Sequence, residues 1–212
     1  MIKVILFDFD GTLVDTFPLI KGVVEKFKKK EGYPPLDIEQ IKQVGLKKLI
    51  KKSGIPLWKI PSITSKILKS FRKRTDIKLF WGIKKVIKEL KKDYRLGILS
   101  SNSKENIKKI LKENGVEKIF EYSYSDSPFF GKHNRLKKLI KKYKFNPEEI
   151  IYVGDEDRDI KAAKKVKIKS VAVTWGYNSR ERLIKEKPTY LVDSPKELGK
   201  ILKGKIFSQK AI

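Results

Sequence analysis

The chain has 212 residues, 40% of them hydrophobic, with 51 Lys or Arg against 25 Asp or Glu and a formal net charge of +26. That length suits one α/β domain with a sizeable core and room for a small insertion, and the hydrophobic share excludes wholesale disorder. With no cysteine and a single histidine, His133, disulfides, thiolate chemistry, two-histidine dyads and histidine-rich zinc sites are excluded, so a metal site must be built from oxygen and suits Mg²⁺.

Residues 2–7 are rich in β-branched and aromatic side chains and end at Asp8, which predicts a buried strand. The apolar run there is too short, and lacks the small-residue cleavage site, for a signal peptide. No run approaches a membrane span, so the expected location is the cytoplasm. From Phe17 onwards apolar residues recur at helical spacing: Ile20, Val23, Val24 and Phe27, then Ile38, Ile41, Leu46, Leu49 and Ile50. Breaks fall at Gly32-Tyr33-Pro34-Pro35, Ser53-Gly54-Ile55-Pro56 and Pro61. The pattern predicts a small helical unit at 16–76, set into a core made of 1–15 and 77–212.

The core resumes with a helix marked by Val86, Ile87 and Leu90, a strand at 95–100, and a helix closed by Asn114-Gly115. Residues 119–124 read as a strand, and Leu136, Leu139 and Ile140 mark the next helix. Asn146-Pro147-Glu148-Glu149 signals one short turn. Strands at 150–153 and 170–174 flank a helix at 157–166; a strand at 190–192 precedes a last helix to Leu202. Alternating strands and helices predict an α/β fold with a Rossmann-like parallel sheet and helices on both faces. The lysine pairs, such as Lys137-Lys138 and Lys141-Lys142, interleave with apolar positions and read first as solvated helix faces.

Open parallel sheets gather ligands at the carboxyl ends of their strands. Polar residues stand at three such ends: Asp8 and Asp10, Ser100-Ser101-Asn102-Ser103, and Gly154-Asp155-Glu156-Asp157. Residues two apart on an extended chain face the same side, so Asp8 and Asp10 point together while Phe7 and Phe9 face the core. Gly11 permits a close backbone approach to a ligand, and Thr12 adds a hydroxyl and an N–H. Asp155 repeats the strand-end position of Asp8, and Asp159 can share its face once the helix starts. Such carboxylates converging with Asp8 make a divalent cation site. Asp157 is expected only to cap its helix N-terminus. Asp15 is expected to cap the first helix ahead of Pro18, and Ser103 to cap its own helix. His133 is read as incidental, and Trp175-Gly176-Tyr177 as the floor of a pocket.

These stretches together resemble the haloacid dehalogenase superfamily of phosphohydrolases, in particular its phosphoglycolate phosphatase-like members. DFDGT at 8–12 matches the first motif, Ser101-Asn102 the second, Gly131-Lys132 the third and GDEDRD at 154–159 the fourth. The resemblance spans nearly the whole chain and implies that the helical insertion is a C1-type cap. It implies that Asp8 is the nucleophile and that Asp10 is the general acid and base. Phosphate would be held by Gly11, Thr12, Ser101, Asn102 and Lys132, with Ser100 the competing registration for the serine. Mg²⁺ would be held by Asp8, Asp155 and the backbone carbonyl of Asp10, with Asp159, or else Glu156, binding metal-bound water. Lys47 or Lys48 in the cap would reach an anionic leaving group.

The implied function is Mg²⁺-dependent hydrolysis of a small phosphorylated metabolite, phosphoglycolate-like or a sugar phosphate, through an aspartyl-phosphate. Two alternatives stand beside it: phosphotransfer by a mutase of the same superfamily, and nucleic-acid binding by a basic protein. Nucleic acid is disfavoured as a partner because no zinc finger or aromatic RNA platform is present. No membrane partner is expected.

Overall fold

The computed structural model describes residues 1–33, 43, 55–73, 76–125 and 131–204. Six strands form one sheet: β1 (Val4–Phe7), β2 (Arg95–Ser100), β3 (Tyr122–Ser125), β4 (Ile150–Gly154), β5 (Lys169–Val173) and β6 (Tyr190–Val192). Their order is β3-β2-β1-β4-β5-β6, and every neighbouring pair is parallel. The predicted α/β sheet is therefore present, with its order reversing at β1. At this switch point β1 lies between β2 and β4, and ligand sites of open α/β sheets collect there.

β1 reads Val-Ile-Leu-Phe and is buried at all four positions. A strand covered on both faces needs apolar residues throughout rather than in alternation. Its side chains divide by parity. Ile5 and Phe7 enter one core layer with α3 (Ile83–Leu90), α4 (Lys104–Glu113) and α8 (Pro195–Leu202). Val4 and Leu6 enter the other with α5 (Lys132–Tyr143) and α6 (Asp157–Lys165). A further helix, α7 (Arg180–Lys185), packs Leu183 against Ile160 and Ala172.

Between β1 and β2, α1 (Phe17–Glu31) packs on α2 (Ile60–Lys73), with a satellite cluster of Val24, Phe27, Ile55 and Ile63. Gly32 ends α1 in the left-handed conformation, and its N–H donates to the Lys28 carbonyl. The helical positions at Ile38, Ile41, Leu46, Leu49 and Ile50, and Lys47 and Lys48, lie outside the described residues.

Two local expectations shift. The strand read at 119–124 begins at Tyr122, because pairing with β2 starts only at Gly97↔Tyr122. Glu117–Ile119 is a 3-10 turn that carries the chain from α4 into the sheet. The cap position of α1 is Thr16 rather than Asp15, although the Asp15 carboxylate accepts the Phe17 N–H at 3.3 Å. No described helix is long and apolar enough to cross a membrane.

Candidate active site

The parallel strands bring their carboxyl ends to one edge. There Asp8, Asp155 and Asp159, which are 3%, 0% and 1% exposed, place carboxylate oxygens within 4.8 Å of one another. Asp8 follows β1 and is tied to the neighbouring strand by its N–H, which donates to the Val153 carbonyl at 2.8 Å. Asp155 follows β4. Asp159 lies in the first turn of α6, where its carboxylate accepts the Glu156 N–H at 3.0 Å and completes a capping box with Glu156. Asp157 is thus the first helical residue rather than the cap, and it pairs with Arg182 at 2.9 Å and Lys161 at 3.2 Å.

Lys132, the first residue of α5, is 6% exposed and donates to Asp8 at 2.7 Å and to Asp159. Burial pulls its pKa down, but Asp159 and Asp8 outweigh that and hold it above the ordinary lysine value. Burial, then the charge of Asp8, pushes Asp155 well above the carboxylate range. Burial also lifts Asp159 to about 6, against the downward pull of Lys132. One lysine does not neutralise three buried carboxylates. A set of hard oxygen donors held together at this cost fits a divalent cation, whose charge would reverse these shifts.

The loop 8–12 and the loop after β5 interlock around Asp155. The Thr12 hydroxyl donates to Asp155 Oδ1 at 2.7 Å, and the Tyr177 N–H donates to Asp155 Oδ2 at 2.7 Å. Gly11 has φ +79°, and a Cβ there would collide with Asp155 Oδ2 and come within 2.6 Å of the Tyr177 ring. Gly11 is thus required by close packing on Asp155, whatever else it binds. The Trp175 indole N–H donates to the Thr12 carbonyl at 3.1 Å.

Asp10 faces elsewhere. Its carboxylate accepts from the Asn102 amide at 3.2 Å and the Ser100 hydroxyl at 3.4 Å. Burial, then the Asp8 charge, lifts its pKa to about 6. Ser100 is the last residue of β2 and is fully buried, and its hydroxyl also accepts the Asn102 N–H at 2.9 Å. The serine whose hydroxyl reaches Asp10 is Ser100, the competing registration, while Ser101 is half-buried one residue beyond the strand. The Asn102 N–H, expected at phosphate, is occupied by Ser100, and the Asn102 side chain orients Asp10. Ser103 caps α4, accepting the Asn106 N–H at 3.2 Å.

Residues 5–173 match the family model described as haloacid dehalogenase-like hydrolase. The chain belongs to the haloacid dehalogenase-like hydrolase family. It is similar to a phosphoglycolate phosphatase of Synechococcus elongatus, 32% identical over 201 residues that cover 92% of this chain and 95% of the relative. A phosphoglycolate phosphatase of Vibrio parahaemolyticus is 26% identical, covering 95% of this chain and 96% of its own. Among solved structures, a haloacid dehalogenase-like family protein from Streptococcus pneumoniae superposes with a TM-score of 0.76 at 24% identity, covering 93% of this chain and 96% of its own. CbbY from Rhodobacter sphaeroides, solved in complex with phosphate, gives 0.70 at 22% identity, with coverage of 94% and 97%.

In this haloacid dehalogenase-like chain the sequence placed Gly176 and Tyr177 only on a pocket floor and missed Asn178; the contacts of all three are set by the fold. Tyr177 holds Asp155 by its N–H and Thr16 by its hydroxyl, at 2.6 Å. Gly176 leaves no space for a side chain between Asp155 and the Gly11 carbonyl. Asn178 accepts the Asp157 N–H at 2.9 Å, at the start of α6. Only the adjacency of Gly176-Tyr177-Asn178 to the end of β5 signalled them.

Proposed function

We propose that this chain is a Mg²⁺-dependent phosphatase of the cytoplasm, acting on a small phosphorylated metabolite, phosphoglycolate-like or a sugar phosphate. The observation that carries the reading is the contrast between the two aspartates of DFD. Asp8 joins the three-acid cluster beside Lys132, while Asp10 faces Ser100 and Asn102 with a raised pKa. The phosphoglycolate phosphatases of Synechococcus elongatus and Vibrio parahaemolyticus, among the similar proteins, support the substrate class.

A carboxylate oxygen of Asp8 attacks phosphorus, forming an aspartyl-phosphate as the ester P–O bond breaks. Asp10, protonated, gives its proton to the leaving oxygen. The Asp10 carboxylate then takes a proton from water as that water attacks phosphorus, releasing phosphate and restoring Asp8. Burial raises the Asp10 carboxyl above its ordinary value in the metal-free protein, the direction that proton donation to the leaving oxygen requires. Lys132 neutralises charge on the phosphoryl oxygens and on Asp8. Asp8, Asp155 and the Asp10 carbonyl would hold Mg²⁺, which supplies positive charge against the transferring phosphoryl group, and Asp159 would bind its water. Gly11, Thr12, Ser101 and Asn102 would line the phosphate, while Ser100 would orient Asp10. Residues 16–76 act as the cap that closes over a small substrate, with 1–15 and 77–212 as the core.

The test is a phosphate-release screen over phosphorylated metabolites with Mg²⁺ and with EDTA, repeated on Asp8→Asn. Release that needs Mg²⁺ and vanishes in the variant is expected. Turnover that survives in folded Asp8→Asn would rule out the covalent route.

A further inference from the structure

The mechanism leaves a net charge of +26 unexplained. Much of it lies on solvated helix faces, but at one place lysines converge. A cavity of about 480 Å³ opens among the last turn of α3, the last turn of α4 and the 3-10 turn before β3. Those segments precede β2 and β3, so the cavity lies at the amino edge of the sheet, opposite the edge that carries Asp8. Lys88, Lys91, Lys112 and Lys118 surround it, over a floor on which Ile119 is partly exposed and Val116 lies buried beneath. A Cβ on Gly115, another lining residue, would also meet Lys84 Nζ at 3.5 Å.

Two ordinary explanations for these lysines fall short. Lysines often neutralise helix carboxyl ends, but these ends are already served by backbone donors. Val116 N–H donates to the Leu111 carbonyl and Gly115 N–H to that of Lys112; Tyr94 and Asp93 N–H both donate to that of Leu90. Nor do acids balance the charge. Glu117 lines the cavity and pairs with Lys108 at 3.8 Å, while Glu121 is shared between Lys91 and Arg95. Like charges gathered around an apolar floor repel one another unless an anion joins them.

We propose that this cavity is a second ligand site, for a small molecule that carries two or more phosphate charges on an apolar or aromatic body, of which a nucleoside polyphosphate is the representative. The volume lies within the range of small-molecule sites and suits one nucleotide. Ile119 and the methylenes of the lysines would cover part of the base, and Lys88, Lys112 and Lys118 would take the phosphates as point charges. Among the described residues no aromatic side chain lines the cavity, which argues against a platform for successive bases of a strand. With no carboxylate cluster, the site needs no metal.

The experiment is calorimetric titration of the full chain in EDTA with a methylene-bridged ATP analogue that resists hydrolysis. Saturable binding is expected, weakening as salt is raised. Lys88→Glu with Lys112→Glu should weaken it by about tenfold or more, while kcat/KM for phosphate release in Mg²⁺ stays unchanged. Lys196→Glu with Lys200→Glu on α8, both exposed, makes the same change in net charge elsewhere and should leave affinity intact. The proposal is overturned if the analogue does not bind in EDTA, or if the two double variants lose affinity equally. It is also overturned if only a single-stranded RNA binds. Because phosphatase turnover is read separately, failure here leaves the active-site reading standing, and the reverse also holds.

Discussion

Gly176→Ala tests how the acid cluster is held. A Cβ at this position would lie under 3.0 Å from Asp155 Oδ2, Asp155 Cβ and the Gly11 carbonyl oxygen, where ordinary contact begins at 3.4 Å. Neither obstacle is the tip of a flexible chain. Asp155 is fixed at both oxygens, by Thr12 and by the Tyr177 N–H, and the Gly11 oxygen is backbone. Relief requires a shift of roughly half an ångström or more, with a cost of about 1–3 kcal/mol from overpacking. Weakening the Tyr177 bond to a buried carboxylate costs about 1–3 kcal/mol more. If half of that total, about 1–3 kcal/mol, falls on the geometry of the metal site, the Mg²⁺ concentration for half-maximal phosphate release should rise about fivefold to 150-fold, since 1.4 kcal/mol is tenfold. Mg²⁺ titration of turnover and urea unfolding read the two parts separately. Gly22→Ala is the internal control: nothing lies within 4 Å of its added Cβ, and it sits within α1. It should stabilise by about 0.5–1 kcal/mol with Mg²⁺ dependence unchanged. If Gly176→Ala matches wild type in both Mg²⁺ requirement and unfolding midpoint, the packing of this loop does not position Asp155.

Four further outcomes are expected. Lys132→Met leaves three buried carboxylates without their cation; in EDTA it should destabilise by about 3–5 kcal/mol, Mg²⁺ should return part of that, and phosphate release should collapse. In metal-free protein the folded pKa values of Asp10 and Asp159 are raised from 3.8 to about 6. Stability tied to their protonated forms is therefore complete below pH 3.8 and lost as pH rises through about 6. The stabilisation gained on adding Mg²⁺ should accordingly grow across that window, and a flat difference between EDTA and Mg²⁺ melts from pH 4 to 7 would contradict it. Ser100→Ala should alter the pH profile of kcat more than Ser101→Ala, because Ser100 contacts Asp10; equal profiles would show that Ser100 does not orient Asp10. Gly97→Ala would put a Cβ 2.7 Å from Leu6 Cδ2 and 3.1 Å from Tyr122 Cβ, so the midpoint of thermal unfolding should fall with a loss of about 1–3 kcal/mol.

What the sequence by itself determined is the alternation of strand and helix, and with it the parallel sheet. Apolar runs such as Val4–Phe7, punctuated by acids and glycines, are signals carried within a few residues. That alternation also brings Asp8, Asp155 and Asp159 to one edge, because every parallel strand ends on the same side. The tertiary structure alone decided which atom each polar residue offers there. That Ser100 rather than Ser101 reaches Asp10 depends on where β2 stops and which parity faces Asp10. The Thr12 hydroxyl is committed to a carboxylate 143 residues away, and the Tyr177 hydroxyl to Thr16 at a distance of 161 residues. Such bonds leave no local pattern, since neither partner's neighbours in the chain record them. The glycines show the same division. Gly11 announces a tight turn in the sequence, but the atoms that forbid a side chain at Gly11 and Gly176 belong to Asp155, and only folding brings them there.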